Sequence, residues 1–157
     1  MSSNRRRLRK IGVIGSSHPS EHGLKLAGQV GRLIASNGAL LVCGGLGGVM
    51  EAASRGCAEA GGEVIGILPG ADCSEANPYV TICVPTNMGH ARNVIIAHTA
   101  DALVVIEGEY GTLSEIAISL KLAKKVVVLP GARCVDGVLT AATPQLAVAM
   151  AMDQVET

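Results

Sequence analysis

Short, wholly apolar runs alternate with longer amphipathic ones along almost the entire chain. The segments IGVIG (11–15), ALLVCGG (39–45), EVIGILPG (63–70), TICV (81–84), DALVVIEG (101–108) and KVVVLPG (125–131) have the length and β-branched content of strands. Between the first two, EHGLKLAGQVGRLIASNG (21–38) places Leu24, Ala27, Val30 and Ile34 at helical spacing and ends on Gly38, a natural terminator. GVMEAASRGCAEAGG (48–62), MGHARNVIIAHTA (88–100), TLSEIAISLKLAK (112–124) and PQLAVAMAMDQV (144–155) read as further helices. ADCSEANPYV (71–80) reads as a loop broken at Pro78.

Strands that are apolar on both faces and separated by helices belong in a sheet covered from both sides. With right-handed crossovers this predicts an α/β, single-domain, Rossmann-like doubly wound sandwich whose mainly parallel sheet has about six or seven strands. The expected domain runs over 11–157, after a basic, flexible tail at 1–10. Ligands in such folds collect at the carboxyl ends of the strands. That rule brings together GSSHPS (15–20), GGLGG (44–48), PTNMGHAR (85–92) and GEYGT (108–112).

Composition narrows the picture. Of 157 residues, 48% are hydrophobic, yet there are two Tyr and no Phe or Trp, so the core must be Val, Ile, Leu and Ala. The same scarcity argues against a nucleic-acid binder that stacks bases on aromatic platforms. Basic and acidic residues balance at 13 each, but RRRLRK (5–10) is a local basic run, either a solubilising tail or a contact for an anionic partner. The five cysteines, Cys43, Cys57, Cys73, Cys83 and Cys134, form no C-x-x-C pair, which predicts reduced thiols in a cytoplasmic protein. No apolar run reaches the length of a membrane span, so no membrane partner is expected.

The loops supply the candidate chemistry. In CGGLGGVM (43–50), Gly44, Gly45, Gly47 and Gly48 lie at a strand-to-helix junction, where free amides and the helix dipole suit an anion. Met50 stands where a dinucleotide fingerprint needs its third glycine, and no G-K-[ST] follows, so neither standard nucleotide motif applies. Gly15, Ser16 and Ser17 follow the first strand and offer hydroxyls to a ligand, whereas Ser20 can cap the next helix. Thr112-x-x-Glu115 has the spacing of a capping box, which by itself accounts for both residues; a carboxylate beside a bound sugar can also serve as acid or base. Arg92 stands at the ligand edge and can pair with an anion. His18 and His22 make no metal-ligand spacing with any Cys, so no metal site is expected.

Together, GGLGGVMEAASRGCAEAGGEVIGILPG, NPYVTICVPTNMGHARNVIIAHTADALVVIEG and EYGTLSEI resemble the LONELY GUY superfamily, with a likeness running from about residue 11 to 155. Members have carried the label "possible lysine decarboxylase", for which this chain shows no pyridoxal-phosphate lysine context. The short form with NPY before the fourth strand is most similar to the branch related to molybdenum cofactor carrier proteins. The hydrolytic branch, by contrast, cleaves the N-glycosidic bond of nucleoside 5′-monophosphates using P-G-G-x-G-T-x-x-E. On that motif the chain keeps Gly108, Gly111, Thr112 and Glu115, with Arg92 as the preceding arginine, but has Glu107 for Pro and Glu109 for the second Gly.

The resemblance implies a binding protein for a phosphorylated small molecule, nucleotide-like or molybdopterin-type, with no cofactor required and a homodimer or higher homo-oligomer as its assembly. The alternative it implies is a phosphoribohydrolase in which Glu115 and Arg92 are catalytic. The apolar stretches VIIAHTA (94–100) and LAVAMAM (146–152) can serve either an interface or the chain's own sheet.

Overall fold

A computed structural model describes residues 7–153. Seven parallel strands, β1 (Lys10–Gly15), β2 (Leu40–Cys43), β3 (Val64–Leu68), β4 (Ile82–Pro85), β5 (Ala102–Ile106), β6 (Lys125–Val128) and β7 (Leu139–Thr140), make one sheet in the order β4-β3-β2-β1-β5-β6-β7. The chain therefore builds outward from β1 to β4, then crosses to the other side of β1 and builds outward again. That reversal between β1 and β5 is a topological switch point, where the loops leaving neighbouring strands diverge and open a crevice.

Alternation along the strands divides the core in two. Ile11, Val13, Leu41, Cys43, Val104 and Ile106 face one cluster, with α1 (Glu21–Ser36), α2 (Val49–Glu59) and α5 (Pro144–Met152). Ile14, Val42, Leu103, Val105, Val126 and Val128 face the other, with α3 (Asn93–Thr99) and α4 (Tyr110–Lys121). The apolar stretches of α3 and α5 are spent largely on this core: Ile96, Ala97, Ala147, Val148 and Ala151 are buried. In α1, Ala27, Val30 and Ile34 face inward as their spacing predicts. Leu24 instead lies 42% exposed and Leu26 takes the core position.

Three expectations need correction. The helix expected over 88–100 is broken into a 3₁₀ turn (Gly89–Arg92) followed by α3. Strand β7, two residues long, lies in a stretch with no strand-like apolar run. The thiols are not all reduced: Cys73 and Cys83 form a disulfide, closing the loop before β4, while Cys43, Cys57 and Cys134 are free. Loop closure joins residues only ten apart in sequence, which a scan for C-x-x-C pairs does not detect.

Of the basic segment, residues 1–6 lie outside those described. Arg7 pairs with Asp101 at 3.0 Å, Arg9 donates to the Ala151 carbonyl at 2.7 Å, and Lys10 already belongs to β1. The last predicted helix ends at Met152, and residues 154–157 also lie outside those described.

The α1–α2 contact depends on the absence of side chains. A Cβ on Gly56 would drive into the Gly28 carbonyl, and one on Gly31 into the Ala53 carbonyl, so these helices meet backbone to backbone. Gly56→Ala is expected to force the helices apart and cost about 1–3 kcal/mol, read as a lowered denaturant midpoint.

Candidate functional site

A cleft of about 550 Å³ opens at the carboxyl ends of the strands, centred on the switch point. Its base is Val13, Ile14 and Gly15 of β1, and Ser16, Ser17 and His18 continue the wall. Gly44, Leu46 and Met50 come from the β2–α2 junction, and Pro69, Gly89, His90, Arg92 and Asn93 from the far side. Glu109, Tyr110, Gly111, Thr112 and Glu115 come from the start of α4. A volume of this size accommodates a nucleotide-sized ligand.

Two helix N-termini border the space. At α2, Gly48 holds φ +67 at the N-cap, and a side chain there would lie 2.5–2.6 Å from the Ser17 and Ser16 carbonyls. Glycine thus lets the loops after β1 and β2 touch, and the Val49 amide donates to the Ser16 carbonyl at 3.0 Å. At α4, the first intrahelical acceptor is Glu109, bonded by the Leu113 amide at 2.9 Å. Among the described residues the amides of Gly111 and Thr112 have no acceptor, and the space beside Gly111 is open to 4 Å. Vacant amides at a helix start, backed by the helix dipole, are able to receive the oxygens of an anion.

The start of α4 differs from the capping box. The helix begins at Tyr110 with Glu109 as N-cap, so Thr112 sits inside the first turn and no side chain caps it. Glu115 is therefore not a cap residue. It is 7% exposed, lies on the cleft wall and makes no side-chain hydrogen bond among the described residues. Burial pushes its carboxyl up to about 8, opposed by attraction to Arg92.

Arg92 is equally buried at 7% exposed, and its donors are largely committed to protein oxygens. Nε donates to the Ile67 carbonyl at 2.8 Å, Nη2 to the Gly44 carbonyl at 3.4 Å, and Nη1 to Asn93 Oδ1. Burial lowers its pKa and Glu115 raises it; burial is the larger influence on both partners. The guanidinium ties the ends of β2 and β3 together beneath the cleft.

The two departures from the hydrolase motif have separate fates. Glu107, at φ +55, turns away to α1 and accepts from the Ser20 amide at 3.0 Å and from Ser20 Oγ at 2.5 Å. Ser20 in turn caps α1 by accepting from the Gly23 amide at 3.0 Å, as its position after the first loop predicts. Glu107 thus adds its charge to the N-terminus of α1, where the dipole favours it. Glu109 remains exposed at the cleft wall.

Of the residues expected from sequence, Gly15, Ser16, Ser17, Gly44, Met50, Arg92, Gly111, Thr112 and Glu115 meet in the cleft. Gly45, Gly47, Gly48 and Gly108 do not line it; they lie in the loops whose neighbours do. Sequence reasoning passed over Leu46, Pro69, Asn93 and Tyr110. Asn93 was legible only as the neighbour of Arg92, Leu46 and Tyr110 carried no chemical signal apart from their place in the four loops, and Pro69 read as the end of the third strand.

A family model described as the SLOG cluster4 family matches residues 8–156. A protein of Archaeoglobus fulgidus, described as uncharacterized, is 46% identical over 142 residues, covering 90% of this chain and 93% of that one. The solved structure of a molybdenum cofactor binding protein from Rippkaea orientalis superposes with TM-score 0.87 at 34% identity, covering 92% of this chain and 95% of its own. A molybdenum cofactor carrier protein from Chlamydomonas reinhardtii gives TM-score 0.84 at 36% identity over 91% and 95% of the two chains. DNA processing protein A from Streptococcus pneumoniae, at 22% identity and TM-score 0.71, shares the fold.

Glu115 makes the site's electrostatics measurable. Its folded value of about 8 lies above the ordinary 4.5, so the folded protein keeps a proton that the unfolded chain releases between those values. Stability then falls as pH rises through that window, by up to about 1.4 kcal/mol per pH unit. Glu115→Gln is expected to flatten this slope, so that the variant gains on the parent between pH 5 and 8 in denaturant titrations. Parallel pH profiles for the two proteins would show that Glu115 ionises normally.

Proposed function

The chain belongs to the SLOG cluster4 family, and on that premise we propose that its cleft binds and carries a phosphorylated small molecule of the pterin or nucleotide type. The observation that carries this reading is the start of α4, which opens on the cleft with the Gly111 and Thr112 amides vacant, while the start of α2 borders the same space. Phosphate oxygens supply the acceptors those amides lack, and the two dipoles favour negative charge. Ser16 and Ser17 add hydroxyl donors from the β1 loop, and Gly44 and Met50 form the opposite wall. Arg92 contributes positive potential from below while its hydrogen bonds hold the floor together. The molybdenum cofactor proteins at 34–36% identity support the pterin version of the ligand.

One observation favours a second reading, hydrolysis of a nucleoside 5′-monophosphate. Glu115 is a buried carboxyl on the cleft wall, pushed up to about 8, and such a group can deliver a proton to a departing base at neutral pH. Incubation with AMP followed by chromatography separates the two. Binding and carrying leaves intact AMP with the protein. Adenine release that disappears in Glu115→Gln establishes hydrolysis and overturns the carrier reading.

The anion site itself is tested by Gly111→Asp. The added side chain meets open space, and a carboxylate in the first turn suits the helix dipole, so folding is retained. The same carboxylate occupies the amides meant for phosphate and repels the ligand. Calorimetry is expected to show AMP affinity reduced at least tenfold with thermal stability equal to or above the parent's. Unchanged affinity would place the phosphate elsewhere.

A further inference from the structure

The chain has two tyrosines and no other aromatic side chain of that size, and one of them stands at the cleft with no packing role. Tyr110, the first residue of α4, is 76% exposed and is nonetheless part of the cleft wall. Arg133, which does not line the cleft, places its guanidinium 5.5 Å from the ring centroid. Both side chains are exposed, and a cation over one face of an aromatic ring biases its orientation while leaving the other face free. We propose that Tyr110 is the platform on which a planar heterocycle of the ligand stacks, with Arg133 bracing the ring from outside the cleft. The proposal rests on the phosphate reading above and deepens it.

Position along the chain narrows the kind of ligand that could use both features. The amides of Gly111 and Thr112 immediately follow Tyr110, so a phosphate at the helix start and a ring on Tyr110 are near neighbours. A heterocyclic monophosphate, with ring and phosphate separated by one sugar or one fused ring, fits that spacing. Stacking is indifferent to the ring's hydrogen-bonding pattern, which makes one platform serve purine and pterin alike. Arg133 and Tyr110 come from separate segments, so the arrangement is not a by-product of one local turn.

GMP is a suitable probe because its pyrimidine half carries the 2-amino-4-oxo pattern shared with pterins, and ribose 5-phosphate is the same molecule without its ring. Calorimetry on the parent, Tyr110→Ala, Tyr110→Phe and Tyr79→Phe reads the ratio of the two affinities. Tyr110→Ala is expected to narrow the preference for GMP over ribose 5-phosphate about tenfold. Tyr110→Phe keeps the ring and the preference, and Tyr79→Phe, altered on the loop before β4, behaves as the parent. An undiminished preference for GMP in Tyr110→Ala overturns the stacking role and leaves the phosphate site standing. A parent protein that binds neither GMP nor ribose 5-phosphate overturns the phosphate reading and this one with it.

Discussion

The buried guanidinium of Arg92 is the tie on which the site depends. It reaches the carbonyl of Ile67 at 2.8 Å and that of Gly44 at 3.4 Å, joining the exits of β3 and β2. Parallel strands leave their carboxyl-end carbonyls without partners where the loops diverge, and burying such groups unpaired is costly. A fork of donors rooted in the 3₁₀ turn supplies them. The same interaction limits what surrounds it: a Cβ on Gly44 would stand 2.7 Å from Arg92 Nη2 and from Met50 Sδ, so the glycine loop is shaped around the guanidinium.

This arrangement limits what an anion in the cleft could meet. With Arg92 engaged below, the cleft presents no free lysine or arginine along its walls among the described residues. An anion there would be attracted by the vacant amides of α4 and by the helix dipoles at the cleft edge, which are fixed in direction and need no side chain to be ordered. Glu107 would oppose this if it faced inward, yet its left-handed backbone turns it to Ser20 and the start of α1, where a carboxylate is stabilising. A residue that looks hostile to phosphate by position in a motif becomes part of the scaffold once its direction is known.

The architecture was legible because it follows from periodicity. Buried strands such as ALVVI and amphipathic helices such as α1 announce themselves by pattern, and the doubly wound order brings four glycine-bearing loops to one edge. Thr112 and Glu115 show the limit. Their spacing matches a capping box, but helix starts are set by backbone geometry, and a start two residues earlier at Tyr110 converts a cap into a buried cleft carboxyl. Spacing is preserved under such a shift while role is not. The disulfide between Cys73 and Cys83 was hidden for a related reason, since it depends on how loop and strand fold back rather than on any local motif. β7 escaped because two residues carry no period.

Glu115 and Arg92 set the electrostatics of the cleft. Both side chains are removed from solvent, and each is driven toward its neutral form by that removal, the carboxyl much further than the guanidinium can go. A neutral carboxyl beneath an anion costs little, whereas an ionised one repels it, so the burial that raises Glu115 also makes the cleft compatible with phosphate. Proton donation to a bound ligand requires more than that compatibility: the carboxyl must lie within hydrogen-bond reach of the atom that leaves. Gly111 and Glu115 are four residues apart on α4, so the vacant amides and the buried carboxyl lie about one helical turn from each other. A phosphate bound at those amides would sit at one end of that turn and the carboxyl at the other, and cleavage would require the leaving atom to reach Glu115.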